Sequence, residues 1–379
     1  MLQHLSLRDF RNFERLDVDV PSGGMVIIGE NGHGKTNLLE AVSYLGLLRS
    51  VRGSRDADVV RFGAAAFHVR AQLSAPADYA SVTVAYERST KRKKATVDGV
   101  DHPKLSEALG ALPSVCFSPV DVALVAGGPA ERRHFLDVTL ALTDSRYLLA
   151  LQHYRAALRQ RNAALRVTQR KGGRHAGANA DGASENVEVS VWEPALAKHG
   201  ATLASLRHTW CTRHTEHFAA LCAKIGERAP VSMRYSNAAS DVDEFRSNYL
   251  ATFEQQRANE LRRGVTLVGP HRDDLHLQLG ERDLRTFGSN GQQRTAAIAL
   301  RMLELKTLHE TLNAPPLLLL DDPFSELDAN RSARVLALLE ESGVGQVLLT
   351  VPRDEDIPSA FTRLERRRMV NAALVSNDA

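Results

Sequence analysis

The chain has 379 residues, 43% hydrophobic and 25% charged, enough to bury one large core and a second lobe in water. A formal net charge of +3 is too weak to argue for nucleic acid through the whole-molecule field, so any such site must be a local patch. Cys116, Cys211 and Cys222 lack C-x-x-C spacing, which disfavours zinc and a disulfide framework and fits a reducing cytoplasm; with no apolar signal core and no run of about 18 apolar residues, neither a membrane span nor export by such a signal is expected.

In chain order, Leu2 to Arg8 alternates as a strand, Phe10-Arg11-Asn12-Phe13 follows, and Leu16 to Val20 alternates again. The Arg11-Asn12 pair is placed either to hydrogen-bond an adenine edge or to form a polar strand-end loop. Pro21-Ser22-Gly23-Gly24 then turns the chain into Met25-Val26-Ile27-Ile28, which reads as a buried strand. Next comes Gly29-Glu30-Asn31-Gly32-His33-Gly34-Lys35-Thr36, a match to G-x-x-x-x-G-K-[ST], and Leu38, Val42 and Leu45 stripe the helix after it. Strand before and helix after make this a phosphate-binding loop. Its glycines let backbone N–H groups turn toward a β-phosphate at a helix N-terminus; Lys35 reaches the β- and γ-phosphates, and the Thr36 hydroxyl is placed to ligate Mg²⁺.

Arg49 to Arg55 carries three arginines, and a β-rich stretch follows with strands expected at Phe67 to Leu73, Ser81 to Glu87 and Ala95 to Asp98. Lys91-Arg92-Lys93-Lys94 is expected at a hairpin tip, either gripping DNA phosphates or simply solvated. From Glu131 onward a long helical pattern runs through Tyr154 to Asn162 and resumes from Trp192 through Trp210, with a further helix over about 241 to 263. A Gly-, Ala- and Asn-rich loop at 170–186 interrupts it, expected to be disordered. Strand is expected again at Val265 to Val268, then Gly269-Pro270-His271-Arg272-Asp273-Asp274, then a hairpin from Leu275 through Asp283. His271 with two carboxylates lacks a further ligand at fixed spacing, so a turn braced by Arg-Asp pairing is expected rather than a metal site.

Phe287-Gly288-Ser289-Asn290-Gly291-Gln292-Gln293 opens a helix through Ile298, Met302 and Leu305, and Ser289 there also reads as an N-cap. Leu317 to Leu320 is an apolar strand ending in Asp321-Asp322, followed by Pro323-Phe324-Ser325-Glu326-Leu327-Asp328. In a parallel P-loop sheet Asp321 is expected beside the phosphate loop, holding the Mg²⁺ of Thr36 through water, with Asp322 orienting the attacking water.

The order of phosphate loop, long insertion, Ser289 to Gln292 segment and acid strand resembles the ABC-type ATPases, in which such a segment is the signature that meets the γ-phosphate of a partner's ATP. The chain resembles the RecF family more closely still, through Phe10 to Phe13, Gly29 to Glu40, Ser118-Pro119-Val120-Asp121, Gly127 to Asp137, Gln160-Arg161-Asn162, Gly269 to Asp274, Ser289 to Thr295 and Leu318 to Asp328. The resemblance implies an α/β fold, an ABC-type P-loop ATPase head with mixed sheets and an inserted helical arm lobe, similar to SMC heads. It divides the chain into 1–117, 118–264 and 265–379. It also implies an ATP- and Mg²⁺-dependent homodimer in the cytoplasm that binds duplex DNA and single-strand gap junctions, hydrolyses ATP weakly under DNA stimulation, and works with RecR and RecO to help load RecA. ATP contacts are then expected from Arg11, Asn12, Gly29, Glu30, Asn31, Gly32, His33, Gly34, Lys35, Thr36 and Asn37 on one protomer and from Ser289, Gly291 and Gln292 on the other. Lys35, Asp321 and Asp322 are the expected catalytic residues, Thr36 and Asp321 the expected metal holders.

Departures from the pattern sharpen the expectation. Asp322 stands where transporter ATPases usually have the longer Glu, which fits a slow switch. Val351-Pro352 follows Thr350 where the family shows a further Thr, leaving the γ-phosphate sensor open, and Val120 stands where the family tends to have an acid. A small-substrate kinase would leave the signature and acid loop unexplained, and a transporter ATPase would need a membrane partner. Length and the lack of heptads exclude a coiled-coil repair ATPase.

Overall fold

The computed structural model describes residues 1–75, 78–174, 188–237, 239, 241–312, 314–324, 327–343 and 345–376. The loop expected at 170–186 lies outside them from 175 onward, as do Ser325 and Glu326; residues 170–174 are helical. The chain forms two compact units: Met1–Val122, Leu221–Glu227 and Arg294–Ala379 make the first, Ala123–Ala220 and Arg228–Gln293 the second. This division differs from boundaries at 117/118 and 264/265, chiefly because the Leu275 hairpin pairs within the second unit.

The first unit opens with β1 (Leu2–Phe10), β2 (Phe13–Asp19), β3 (Gly24–Ile28), α1 (Lys35–Leu47), α2 (Asp56–Val59), β4 (Ala66–Leu73), β5 (Ser81–Glu87), β6 (Arg92–Val97), β7 (Val100–Asp101) and β8 (Ser114–Phe117). One sheet is antiparallel, in the order β2-β1-β4-β5-β6-β7. Its strands bury alternate residues, such as Leu5 and Leu7 or Val82 and Val84, because only one face meets the core. β6 begins at Arg92, so only Lys91 of the basic run sits in the tip, with a positive φ of 54°; Arg92, Lys93 and Lys94 are ladder residues.

The second unit follows with α3 (Ala123–Ala126), α4 (Pro129–Thr143), α5 (Ser145–Arg174), α6 (Glu193–Ile225), β9 (Val231–Tyr235), α7 (Val242–Arg263), β10 (Leu275–Leu279), β11 (Arg282–Asp283) and α8 (Leu284–Phe287); α6 ends and α9 (Asn290–Leu312) continues in the first unit. Asp241 caps α7 by accepting from the Asp243 and Glu244 amides, and Gly264, at φ 67°, closes it. Fully buried Arg161 on α5 donates to Glu193, Glu260 and Thr266 and lies over the Phe253 ring. Arg207 on α6 joins Asp137, Tyr147 and the Pro270 carbonyl.

No strand forms at Val265 to Val268. The Thr266 amide donates to Asn162 Oδ1 at 2.8 Å and the Leu267 amide to Glu260 Oε1 at 2.7 Å, so side chains satisfy the donors that a ladder would need. The Gly269 to Asp274 turn is braced as expected: Asp274 takes both arms of Arg132 at 2.8 Å, and Asp273 accepts from Tyr235 and Tyr249. His271 Nδ1 lies 2.6 Å from the Tyr154 hydroxyl and Nε2 lies 3.1 Å from the Thr266 carbonyl. Because that carbonyl only accepts, Nε2 carries the proton and Nδ1 accepts.

Back in the first unit come β12 (Leu317–Asp321), α10 (Ala329–Glu341), β13 (Val347–Val351), β14 (Glu365–Val370) and β15 (Ala373–Ser376). They join β3 and β8 in a mixed sheet of order β15-β14-β3-β13-β12-β8, parallel except for β15. β3, β12 and β13 are buried along their whole length, which is why they read as apolar runs broken only by Asp321 and Thr350. α1 packs between the two sheets. Phe10, Tyr44 and Phe67 meet edge to face at 5.3 to 6.0 Å in that core, and Gly46 is required because a Cβ there would stand 2.1 Å from the Leu112 carbonyl oxygen.

Candidate functional site

The phosphate loop leaves the end of β3 and enters α1, with Gly32 at φ 87° and Gly34 at φ 111°, conformations that a side chain disfavours. Gly34 is also crowded: a Cβ would stand 2.7 Å from Asn12 Nδ2. The Lys35 ammonium folds back across the loop, donating to the Gly29 carbonyl at 2.5 Å and the Glu30 carbonyl at 2.9 Å. Burial lowers its pKa, and the carboxylates of Asp321 and Asp322 pull it back up.

The acid strand β12 is not the neighbour of β3, because β13 runs between them. From the far side Asp321 still reaches the loop: its Oδ1 lies 3.0 Å from Thr36 Oγ1, and the Thr350 hydroxyl of β13 donates to the same oxygen at 2.8 Å. Three oxygen-bearing side chains from three elements therefore converge at the foot of α1. An all-oxygen set with one carboxylate suits a hard divalent cation such as Mg²⁺. Asp322 follows in a left-handed conformation, φ 45°, with its amide bonded to the Thr350 carbonyl at 3.0 Å. A cleft of about 390 Å³ opens above, lined by Asn31, Gly32, Gly34 to Asn37, Arg52, Pro119, Asp321, Asp322 and Pro352.

Arg52, Pro119 and Pro352 were not among the expected contacts. Arg52 was visible only as one of three loop arginines; here its Nη1 donates to Asn37 Oδ1 at 3.2 Å, Asn37 donates to Asn12 Oδ1 at 2.9 Å, and Asn12 Nδ2 lies 3.4 Å from the His33 carbonyl. This polar chain keeps Asn12 and Asn37 at the loop.

Arg11 is different. Its guanidinium is taken up by Glu40 in two bonds of 2.9 and 2.6 Å, by Ser54 Oγ at 2.7 Å and by the Asp58 carbonyl, which ties it to α1. Glu40, 1% exposed on α1, needs that partner.

Ser289, Gly291 and Gln292 open α9 in the second unit, and the described residues lining the cleft do not include them. The Ser289 amide donates to Gln292 Oε1 at 2.9 Å and the Gln292 amide to Ser289 Oγ at 3.3 Å, a reciprocal capping box. The N-cap reading of Ser289 is thus realised in the single chain.

The basic run does not act as four free cations. Lys93 turns inward to Asp56 and the Leu48 carbonyl, each at 2.7 Å, over the Tyr44 ring. Lys94 pairs with Asp101. Lys91 and Arg92 are exposed. Among the described residues no cluster of three or more His, Cys, Asp or Glu could hold a metal, and no helix is long and apolar enough to cross a membrane.

Residues 1–373 match the family model described as RecF/RecN/SMC N terminal domain. A protein named DNA replication and repair protein RecF from Roseiflexus castenholzii is 35% identical over 397 residues, covering 97% of this chain and 98% of its own. The protein of that name from Cutibacterium acnes is 36% identical, with coverage of 94% and 93%. Among solved structures, the recombination mediator protein RecF with ATP in the RecFOR pathway aligns with a TM-score of 0.85 at 26% identity, over 99% of this chain and 96% of that one. The Smc head domain of Pyrococcus furiosus aligns at 0.52 and 17% identity, over 98% and 94%, a likeness of fold alone. The fold is accordingly α/β, an ABC-type ATPase head with mixed sheets.

Proposed function

The chain belongs to the RecF family, and from that premise we propose that it is an ATP-gated DNA-binding switch of recombinational repair, acting with RecR and RecO in the cytoplasm to help load RecA at single-strand gaps. The observation that carries this reading is the convergence of Thr36, Asp321 and Thr350 beneath a phosphate loop whose lysine is held folded across it. ATP binds as the Lys35 ammonium exchanges the Gly29 and Glu30 carbonyls for the β- and γ-phosphates, a better match for a partly buried cation. Thr36 and Asp321 would hold Mg²⁺, which when bound neutralises charge on those phosphates. Thr350 fixes the Asp321 carboxylate by its hydrogen bond, and Asp322 orients the attacking water.

Dimerisation then brings Ser289, Gly291 and Gln292 of a second copy onto the γ-phosphate. The capping box fixes Ser289 and Gln292 at the α9 N-terminus, whose helix dipole favours that anion. Hydrolysis is slow because Asp322 is one methylene shorter than the usual Glu, and it releases the clamp. Support for the repair role comes from relatives named for DNA replication and repair and from a RecF solved with ATP in the RecFOR pathway.

ATP turnover measured with and without duplex DNA tests the proposal. Stimulation by DNA with no need for an acceptor supports it; turnover that depends on a small phosphate acceptor instead supports a kinase and overturns it.

A further inference from the structure

The phosphate loop is held from outside by a segment that the nucleotide motifs leave unused. β14 runs parallel to β3, with Arg367 opposite Ile27 and Arg368 opposite Ile28, so its end arrives beside the start of the loop. There the chain reverses into β15 through Asn371 and Ala372, at φ 47° and φ 63°. Two positive φ values are the pattern of a type I′ turn, which Asn tolerates but which strains an alanine. The strain has a counterpart. The Asn371 amide donates to the ring Nδ1 of His33 at 2.9 Å, and the Ala372 amide donates to the His33 carbonyl at 3.0 Å. Both amides point onto one phosphate-loop residue because the turn is left-handed. On the same side, a Cβ at Gly29 would stand 2.5 Å from the Met369 carbonyl oxygen, so the hairpin also presses on the loop's first residue.

We propose that the β14–β15 hairpin is a latch on the phosphate loop, with His33 as its positioning residue, and that latch closure and nucleotide binding favour one another. His33 is suited to this because its two acceptors, ring nitrogen and backbone carbonyl, face the turn. Since Nδ1 accepts, the ring proton lies on Nε2, which faces the exposed Glu30 carboxylate at 3.8 Å, and the hairpin holds the ring by its Nδ1 edge. A loop held in one conformation presents its amides to phosphate without first losing conformational freedom. Linkage makes the effect reciprocal: bound nucleotide orders the loop, and an ordered loop holds the hairpin. The C-terminal strands thereby report whether the site is filled, and whatever disturbs the hairpin weakens nucleotide binding. This inference rests on the nucleotide reading of the site.

The test compares the wild-type chain with His33→Phe, which keeps a ring and loses its acceptor, and with His33→Asn, whose Oδ1 falls near the place of Nδ1. Hydrogen exchange of residues 369 to 373 is followed by mass spectrometry with and without ATP and Mg²⁺, and the ATP Kd is measured by calorimetry. Losing one hydrogen bond predicts that His33→Phe exchanges about two- to tenfold faster in this segment without ATP and binds ATP about two- to tenfold more weakly. Both effects should be reversed in His33→Asn, and ATP should slow exchange in the wild-type segment. Unchanged exchange in His33→Phe without ATP overturns the latch. Faster exchange with an unaltered Kd overturns the linkage. A wild-type chain that binds no ATP at all overturns the nucleotide reading, and the linkage falls with it.

Discussion

Arg11→Met separates a brace from a base contact. The guanidinium makes two bonds to Glu40 on α1, one to Ser54 in the loop after it and one to the Asp58 carbonyl of α2. Methionine fills the volume but leaves the Glu40 carboxylate, 1% exposed, without its cation. Removing one partner of a buried pair costs roughly 3–5 kcal/mol. Because the Ser50 hydroxyl still donates to Glu40 and Arg52 lies 3.7 Å away, the low end applies, about 3 kcal/mol. For a unit of this size each kcal/mol moves Tm by about 2–4 °C, so the expected drop is roughly 6–12 °C. Thermal unfolding by circular dichroism at neutral pH measures it, with Glu40→Met added as the second change. The double variant should regain most of the loss, since an apolar pair replaces an ion pair. If Arg11→Met instead melts within about 2 °C of wild type while its ATP affinity falls tenfold, the brace reasoning is refuted and Arg11 belongs to the nucleotide.

Asp322→Asn keeps shape and removes the carboxylate proposed to orient water, so ATP binding should persist while turnover falls at least tenfold and DNA complexes last longer; hydrolysis at the normal rate would remove Asp322 from the mechanism. Replacing Lys91 and Arg92 with Ser should flatten the salt dependence of duplex binding by about 0.9 per lost phosphate contact, whereas Lys93→Ser should cost stability through Asp56; an unchanged slope would return the exposed pair to a solvated turn. Burial pushes the His271 pKa down to about 4 from an ordinary 6.5. Between those values the unfolded chain binds the extra proton, so this group makes stability fall as pH drops, by up to roughly 1.4 kcal/mol per pH unit. His271→Gln should flatten urea midpoints over that pH range; an unaltered pH slope would show that His271 is not the group responsible.

The phosphate loop was legible because its chemistry is local: a buried strand, glycines at forced φ values, then Lys35 and Thr36 at a helix start. The acid strand was legible for a related reason, since Leu317 to Leu320 is buried on both faces and its run ends at the carboxylate. What required the fold was pairing between distant segments. Thr350 reaches Asp321 only because β13 lies between β3 and β12, and Arg52 enters the cleft only because the loop after α1 folds back to Asn37. The bond from Arg11 to Glu40, 29 residues on, was likewise invisible in the sequence. Val265 to Val268 looked like a strand because it is apolar, yet Asn162 and Glu260 had already taken its amide donors. β14 escaped notice because Arg366 to Arg368 hide a strand whose inward residue is Met369.

The central claim is that two copies of the chain share each ATP, and mixed dimers test it most directly. Lys35→Arg damages the phosphate loop and Ser289→Arg blocks the α9 N-terminus, so each variant alone forms dimers with two spoiled sites. In a mixed dimer, two-fold symmetry places both lesions in one site and leaves the other intact. With random mixing about half the dimers are mixed, and independent sites then return roughly a quarter of wild-type turnover. Crosslinking measures the mixed dimers, and ATP turnover of the mixture is read against each variant alone. Recovery toward that level is the predicted result. Ser289→Arg that dimerises and hydrolyses ATP at the wild-type rate by itself would contradict the shared site and leave Ser289 a helix cap alone.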